Sequence, residues 1–590
     1  MSARTEQARA LGVALSYKAH GGKTRRVPAK TVDRLIAVLQ PPPPPQPPEP
    51  DMAAFLPEDI AGGGRVWGIS LQLYALRSQR NWGIGDFTDL AAVMRWAAGL
   101  GARYVGVNPL HAPFLAEPWR CSPYDPCSRL ALNPLYIDPE AVADAPADLR
   151  AQAADTIAAA RAADRVDYAR VAAAKRPAFE TLYRRFLKAA EPARRQAFER
   201  FCADGGTDLA RHTAFEALHA RFAADGITGG FPAWPPAFRR PDSPEVQAFV
   251  RQNSEQLGFF AYLQWIARQQ LDGAVAAGQA IDPPCDLYLD LAVGSSADGS
   301  EMWAGQAHMA NGVRLGAPPD ALSATGQDWG LPPIHPGRLA AAGFDPFRRI
   351  LRASMAPAGA LRIDHVLGFN RQFWIPEGLP ATQGGYVAFP QADMISVTAQ
   401  ESRRDRCLVV GEDLGTVPEG LTEALHAAHI LSYQVAPWAR GAEGALLAPE
   451  DFPPLCLAVT HTHDMPPLLG FLKGGDIEAR ARLKLYPDAG AAVAARRQRA
   501  AEADELLAAW GVEQGAAPEA IVTAALRFLA RSRAAVILAA LEDLLLQEAQ
   551  MNLPGTVDEH PNWRRRYARD VEDWTADDTI AARARAARRT

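Results

Sequence analysis

From Val66 onward the chain repeats one pattern, a short apolar run followed by an amphipathic helical stretch and then another apolar run. The runs are "ARYVGVNPL", "DLYLDLAV", "GALRIDHV", "RCLVVGED", "LSYQVAP" and "PLCLAVTHTHD", with helices such as "FTDLAAVMRWAAGL" and "PEGLTEALHAAH" between them. A strand that is apolar along its whole length has both faces buried, and helices alternating with such strands provide the cover, so a parallel sheet is expected. Several runs end on polar or ionisable residues, namely Asn108, Asp290, Asp364, Glu412 and Asp464. In a closed barrel the strand C-termini converge on one face, and chemistry sits there. The reading is an α/β fold, a (β/α)8 TIM barrel over residues 66–590 with helical insertions and a short helical N-terminal unit.

The rhythm breaks in four places. Residues 139–285 are rich in Ala and Arg with helical spacing, as in "ETLYRRFLKAAEPARRQAFERF", and read as a helical excursion from the barrel. Residues 489–550 read as a helical subdomain, and the Arg triplet at 564–566 beyond it as a solvated helix face. Residues 1–40 form a small helical unit, because "TEQARALGVAL" and "KTVDRLIAVLQ" both space apolar residues at three and four. Residues 41–65 form a proline-rich linker that opens with "PPPPPQPPEP", a run without backbone donors that favours a stiff polyproline II spacer over a packed element or an SH3-type ligand.

Composition narrows the function. A net charge of -5 with scattered Lys and Arg gives no basic stripe for a polyanion, so nucleic acid is not an expected partner. Residues 1–30 lack an apolar signal core and no later stretch is apolar enough to span a bilayer; a cytoplasmic protein without a membrane partner is expected. The six cysteines form no C-x-x-C pair and read as reduced thiols.

Three acidic residues end successive strand-like runs: Asp364 in "RIDHV", Glu412 in "VVGEDLGTVP" and Asp464 in "THTHDMP". Any one of them alone would read as a salt bridge closing the barrel, since a buried carboxylate needs a partner. Three on one face, with Arg362, His365, His461 and His463 beside them, read as a catalytic cluster. Paired carboxylates suit glycosidic cleavage, in which one attacks or stabilises an oxocarbenium-like centre and the other protonates the leaving oxygen. Arg362 lies two positions before Asp364 and shares its face of the strand, so it is expected to keep Asp364 ionised. Glu412, after the apolar "CLVVG" and without a basic neighbour in its strand, is expected to hold a proton as the general acid.

"HTHD" raises a zinc reading, but H-x-H metal sites lie on an early strand with further histidines after them, and here only His560 follows. "WGIGDF" lacks the full G-x-G-x-x-G of a dinucleotide site. No metal and no cofactor are expected. Rings and amides cluster in the loops, as in "NWGIGDF", "CSPYDPCSRLALNPLYID", "GQDWGLPP" and "GGYVAFP". Sugars present apolar faces ringed by hydroxyls, which such loops fit.

These residues bring a family into view. The chain resembles bacterial 4-α-glucanotransferases, the amylomaltase or disproportionating-enzyme family, through "SPYDPCSRLALNPLYID", "LYLDLAVG", "GSEMW", "GAPPD", "TGQDWGLPP", "GALRIDHVLGF", "VVGEDLGTVP", "HTHDMP", "NLPGT" and "PNW", in order from about residue 66 to 575. The N-terminal unit is similar to the extension of the longer members, though shorter. The resemblance implies a retaining transfer of α-1,4-glucan segments between maltooligosaccharides, with Asp364 as nucleophile, Glu412 as acid/base and Asp464 as a third carboxylate that binds and distorts the sugar. It implies substrate contacts for Arg362, His365 and His463, for Ser122 and Tyr124 of the S-P-Y loop, for Asp320, Gln327 and Trp329 of a loop covering the acceptor side, for Asp290 on a barrel strand, and for Asn552 of N-x-P-G-T. Thr462 and Met465 depart from the family's more usual "ATHDL", which leaves Asp464 in place and its local packing open. The same carboxylates would serve an α-glucan hydrolase, and a non-catalytic glucan-binding protein is the remaining alternative.

Overall fold

The computed structural model describes residues 3–19, 22–40, 49–319, 323, 325–441 and 444–589. Asp320 and the proline run at 41–48 lie outside the described residues. Eight parallel strands form the central sheet: β1 (Val66–Leu71), β2 (Tyr104–Val107), β3 (Asp286–Leu291), β4 (Ala360–Ile363), β5 (Leu408–Gly411), β6 (Ser432–Val435), β7 (Cys456–Val459) and β8 (Val536–Ala540). Neighbours in sequence are neighbours in space, β8 pairs with β1, and a parallel bridge between Val410 and Leu431 joins β5 to β6 and closes the barrel. Every residue of β2, β4, β5, β7 and β8 is buried, as strands covered on both faces must be.

The helical stretch read at 489–550 contains a barrel strand. Helices Ala489–Trp510 and Pro518–Arg531 are followed by β8, whose "VILAA" carries no period that separates a buried strand from a buried helix. Between Leu132 and Asp286 every described element is helical. The last of them, Ser254–Gln279, packs on helix Phe87–Gly99 and delivers the chain to β3, so it is the barrel's own crossover helix and not part of an excursion. The Arg triplet is not on a helix: Arg564 donates to Trp119 O, Arg565 to Gln550 O, and Arg566 to Arg161 O and Ala163 O, so the guanidinium groups staple loops by their carbonyls.

The N-terminal segment also departs from a purely helical unit. Helices Ala3–Ala10 and Ala29–Leu39 flank a two-stranded hairpin, Ser16–Lys18 with Thr24–Arg26. It packs on a second sheet, ordered Gly385–Ala388, Arg371–Pro376, Val313–Ala317 and Gln327–Asp328, around an apolar core separate from that of the barrel. Beyond the proline run the chain is held and not a free spacer: Glu49 N–H donates to Asp393, Glu49 pairs with Arg348 at 2.7 Å, and Phe55 N–H donates to Ser402. All six cysteines are free thiols. No helix among the described residues is long and apolar enough to cross a membrane.

Candidate active site

Register builds the site. Arg362 on β4 lies level with Asp290 on β3 and Val410 on β5. Side chains two apart on a strand share a face, so Asp364 follows Arg362 toward the barrel mouth. The strand ends there because His365 adopts a left-handed conformation (φ 50°, ψ 54°), which costs roughly 1–3 kcal/mol in a residue with a Cβ. That turn aims His365 N–H at Glu412 Oε2 (2.9 Å) and Val366 N–H at Glu412 O (2.9 Å). Gly411 permits the approach, because a Cβ there would meet Val366 Cγ1 at 2.8 Å.

Arg362 is the hub. Its guanidinium, buried and lying 5.6 Å from the centre of the Tyr433 ring, donates to Asp290 Oδ1 at 2.7 Å, and a second nitrogen lies 2.8 Å from Asp364 Oδ1 and 3.8 Å from Glu412 Oε2. One cation thus serves three carboxylates. Burial pushes Asp364 up to about 7, with Arg362 pulling the other way and Asp290 and Glu412 adding to the rise. Burial also raises Glu412, although Arg362 and the N–H groups of His365 and Leu414 favour its charged form. Glu412 has no basic neighbour in its own strand, but β4 lends it the same guanidinium that serves Asp364, and burial raises both carboxyls. The His365 imidazole, lowered to about 4 by burial and by Arg362, stays neutral.

A hydrogen-bonded chain leaves the hub on its other side. Tyr124 O–H donates to Asp290 Oδ2 at 2.5 Å, and its oxygen lies 2.9 Å from His463 Nδ1, with the two rings stacked at 4.3 Å. Since the single hydroxyl proton is committed to Asp290, His463 Nδ1–H must donate to Tyr124, which leaves Nε2 facing Asp464 Oδ1 at 3.5 Å. Ser122 shapes this loop by accepting Tyr124 N–H at 3.3 Å.

Asp464, at the exit of β7, is half exposed to the cleft. Asn552 Nδ2 donates to its Oδ1 at 2.6 Å and Gln550 Nε2 to its backbone carbonyl at 2.8 Å. Thr462 Oγ1 accepts Asp464 N–H at 3.3 Å and Met465 is buried, so both unusual residues of "HTHDM" are absorbed by the local turn. On the opposite side Trp329 meets His365 edge-on at 5.2 Å and donates through Nε1 to Gln327 Oε1 at 3.1 Å. The structure therefore gathers Asp290, Arg362, Asp364, His365, Glu412, Tyr124, His463, Asp464 and Asn552 through direct contacts, brings Trp329 and Gln327 to them through His365, and gives Ser122 a backbone role.

His461 and His463 have different partners. His461 Nε2 lies 3.5 Å from Asp543, whereas His463 turns to Tyr124. Among the described residues no group of three or more His, Cys, Asp or Glu is arranged to hold a metal ion. Sequence reasoning gave no role to Tyr433 beneath Arg362, to Trp563 against Tyr124 (5.2 Å) and His463 (5.5 Å), or to Gln550. Trp563 lies in "PNW", the only signal that singled it out.

Comparison with known proteins decides the family. The family model for glycoside hydrolase family 77, 4-alpha-glucanotransferase, matches residues 71–571. The chain belongs to the 4-alpha-glucanotransferase family. It is 37% identical over 527 residues to a 4-alpha-glucanotransferase of Mycobacterium tuberculosis, covering 86% of this chain and 72% of that one. The Haemophilus influenzae 4-alpha-glucanotransferase is 34% identical over 537 residues, covering 86% and 76%. Among solved structures, the amylomaltase from Corynebacterium glutamicum superposes with a TM-score of 0.85 at 24% identity, covering 100% of this chain and 99% of that one. The amylomaltase from Streptococcus agalactiae in complex with acarbose gives 0.71 at 18%, covering 88% and 98%. Both superpositions bear on the fold, and this family member shares their barrel.

Proposed function

We propose that the protein transfers α-1,4-glucan segments between maltooligosaccharides with retention of configuration, through a covalent glycosyl-enzyme on Asp364. The observation that carries this reading is the placement of Asp364 and Glu412 on adjacent strands with one oxygen of each within 3.8 Å of a single Arg362 nitrogen. That closeness suits the ~5–5.5 Å spacing of retaining carboxylates better than the ~6.5–9.5 Å that leaves room for a water in inverting ones.

In the first half-reaction Asp364 Oδ bonds to the anomeric carbon as the bond from that carbon to the leaving O4 breaks, and Glu412 gives its proton to that oxygen. In the second, the 4-OH of an acceptor sugar attacks the same carbon, Glu412 takes the hydroxyl proton, and the bond to Asp364 breaks. The shorter contact of Arg362 with Asp364 favours the charge there by about 1–2 kcal/mol at an effective dielectric near 20. The two N–H bonds to Glu412 oppose that preference, and the substrate decides between them: positive charge growing at the anomeric carbon favours a carboxylate at Asp364, and negative charge growing on the leaving oxygen draws the proton from Glu412. Asp464, held by Asn552 and flanked by His463 Nε2, is the group we expect to accept sugar hydroxyls.

Water and a sugar compete for the glycosyl-enzyme. Trp329 and Gln327 give the acceptor a ring face and an amide, so a sugar is favoured over water. Incubation with maltotriose is expected to give glucose and a ladder of longer maltooligosaccharides; a steady rise in reducing ends without longer products would make the protein an α-glucan hydrolase.

A further inference from the structure

The second sheet has two edges, and they carry different cargo. At one edge, beyond Gly385–Ala388, the N-terminal segment adds itself as a further strand: Val13 bridges Val387 antiparallel, Ala14 N–H donates to Tyr386 O and Ala388 N–H to Gly12 O, both at 2.9 Å. The helix Ala29–Leu39 lays a buried stripe, with Val32, Leu35 and Ile36 in it, into the core shared with this sheet, and Thr31 Oγ1 donates to Gln383 O at 2.7 Å. The fit is close, since a Cβ on Gly385 would meet Val27 Cγ1 at 2.9 Å and Leu35 Cδ1 at 3.3 Å. Tyr17 packs edge-on against Phe373 (5.9 Å) and Tyr386 (5.5 Å).

At the other edge the strand Gln327–Asp328 pairs with Gly316–Ala317, and Trp329 N–H donates to Leu315 O at 3.0 Å. Trp329 packs on the same apolar core that the N-terminal helix closes. Its free edge meets His365, whose N–H holds Glu412. The sheet is moreover rooted in the site, because its strand Arg371–Pro376 begins directly after the turn Val366–Phe369 that follows Asp364 and His365. Close-packed layers shift as units and do not absorb a displacement at one face.

We propose that residues 3–19 and 22–39 are a positioning element for the acceptor side: by closing the core beneath the second sheet they fix Trp329 and Gln327, and so set how the glycosyl-enzyme is shared between a sugar and water. Tyr17 and Leu35 are positioning residues in this role. The inference rests on the reading of Trp329 as part of the acceptor site.

The test uses the full chain and compares the ratio of transfer products to newly released reducing ends with maltotriose, the KM for glucose as acceptor, and the consumption of α-glucosyl fluoride as a measure of the first step. Leu35→Ala, with Gly385→Ala as a milder wedge at the same contact should the first not fold, is expected to lower the ratio about threefold or more and raise the acceptor KM, with fluoride consumption nearly unchanged. In a Trp329→Ala background, which has already lost the ratio, Leu35→Ala is expected to lower it no further. Leu218→Ala, buried in the helical region away from this sheet, is the control and leaves the ratio as it was. If Trp329→Ala lowers the ratio but Leu35→Ala and Gly385→Ala do not, or if Leu35→Ala and Trp329→Ala act independently, or if Leu218→Ala matches them, the positioning role is overturned and the acceptor site stands. If Trp329→Ala itself leaves the ratio unchanged, the acceptor reading fails and this inference fails with it.

Discussion

Asn552 donates a 2.6 Å hydrogen bond to Oδ1 of Asp464, fastening a loop beyond the last barrel strand to a carboxylate at the exit of β7. Asp464 is half open to the cleft, its backbone is held by Thr462 and Gln550, and His463 Nε2 stands 3.5 Å from the same Oδ1, so Asn552 makes the shortest contact to its side chain. Asn552→Ala is expected to lower kcat/KM for maltotriose by about tenfold or more, the equivalent of one charge-assisted hydrogen bond, with little change in melting temperature because the pair is on the surface. Unchanged steady-state kinetics would show that Asp464 needs no such holder.

The Tyr124 hydroxyl orders the far side of the hub. Its proton goes to Asp290 and its lone pair takes His463 Nδ1–H, which turns Nε2 toward Asp464. Tyr124→Phe keeps the stacked ring and removes both bonds. The expected result is a fall in kcat/KM of about tenfold, equal to ~1.4 kcal/mol. His463→Ala in the Tyr124→Phe background is expected to cost less than in the wild type, because the two act as one unit. Additive losses would break the link between them.

How much of this was legible follows from which forces are local. Six barrel strands could be read because parallel strands buried on both faces must be apolar throughout, and Asp364, Glu412 and Asp464 stood out as charges interrupting such runs. β8 hid in an Ala- and Leu-rich stretch with helical neighbours, where short apolar runs carry no distinguishing period. The short hairpin in the N-terminal unit, mostly exposed, gives no alternation to read. Arg362 next to Asp364 was visible from i to i+2 spacing, but its reach to Asp290 and Glu412 depends on the register of three strands, which the sequence does not state. For the same reason the sequence does not show that Asp364 and Glu412 share one guanidinium, and the partner of Asn552 is found only once the loop is in place.

The crowding of carboxylates around one cation has a consequence for stability. Burial raises Asp364 to about 7 in the folded protein, above its value in the unfolded chain. A carboxyl raised in this way binds its proton more tightly when folded, so its contribution to stability is fully present below the unfolded value and is lost as pH rises through about 7. Asp364→Asn mimics the protonated form. It is expected to raise the melting temperature at pH 8 by roughly 1–5 °C and to have a much smaller effect near pH 4, while abolishing activity. A variant that melts lower than the wild type at pH 8 would show that the ion pair with Arg362 outweighs the burial of the charge.

The oxygen that carries the sugar in the proposed glycosyl-enzyme belongs to Asp364. In the proposed mechanism Glu412→Gln removes the acid that a glucan leaving group needs but spares attack on an α-glucosyl fluoride, since fluoride departs without a proton. Without Glu412 as base the second step is slow, so the glycosyl-enzyme accumulates. Intact-protein mass spectrometry after fluoride treatment of Glu412→Gln is expected to show one added glucosyl group, with digestion placing it on Asp364, and Asp364→Asn is expected to show no adduct. An adduct on Glu412→Gln found at Asp464 or elsewhere, or no adduct alongside rapid fluoride release, would contradict the assignment of Asp364 as nucleophile.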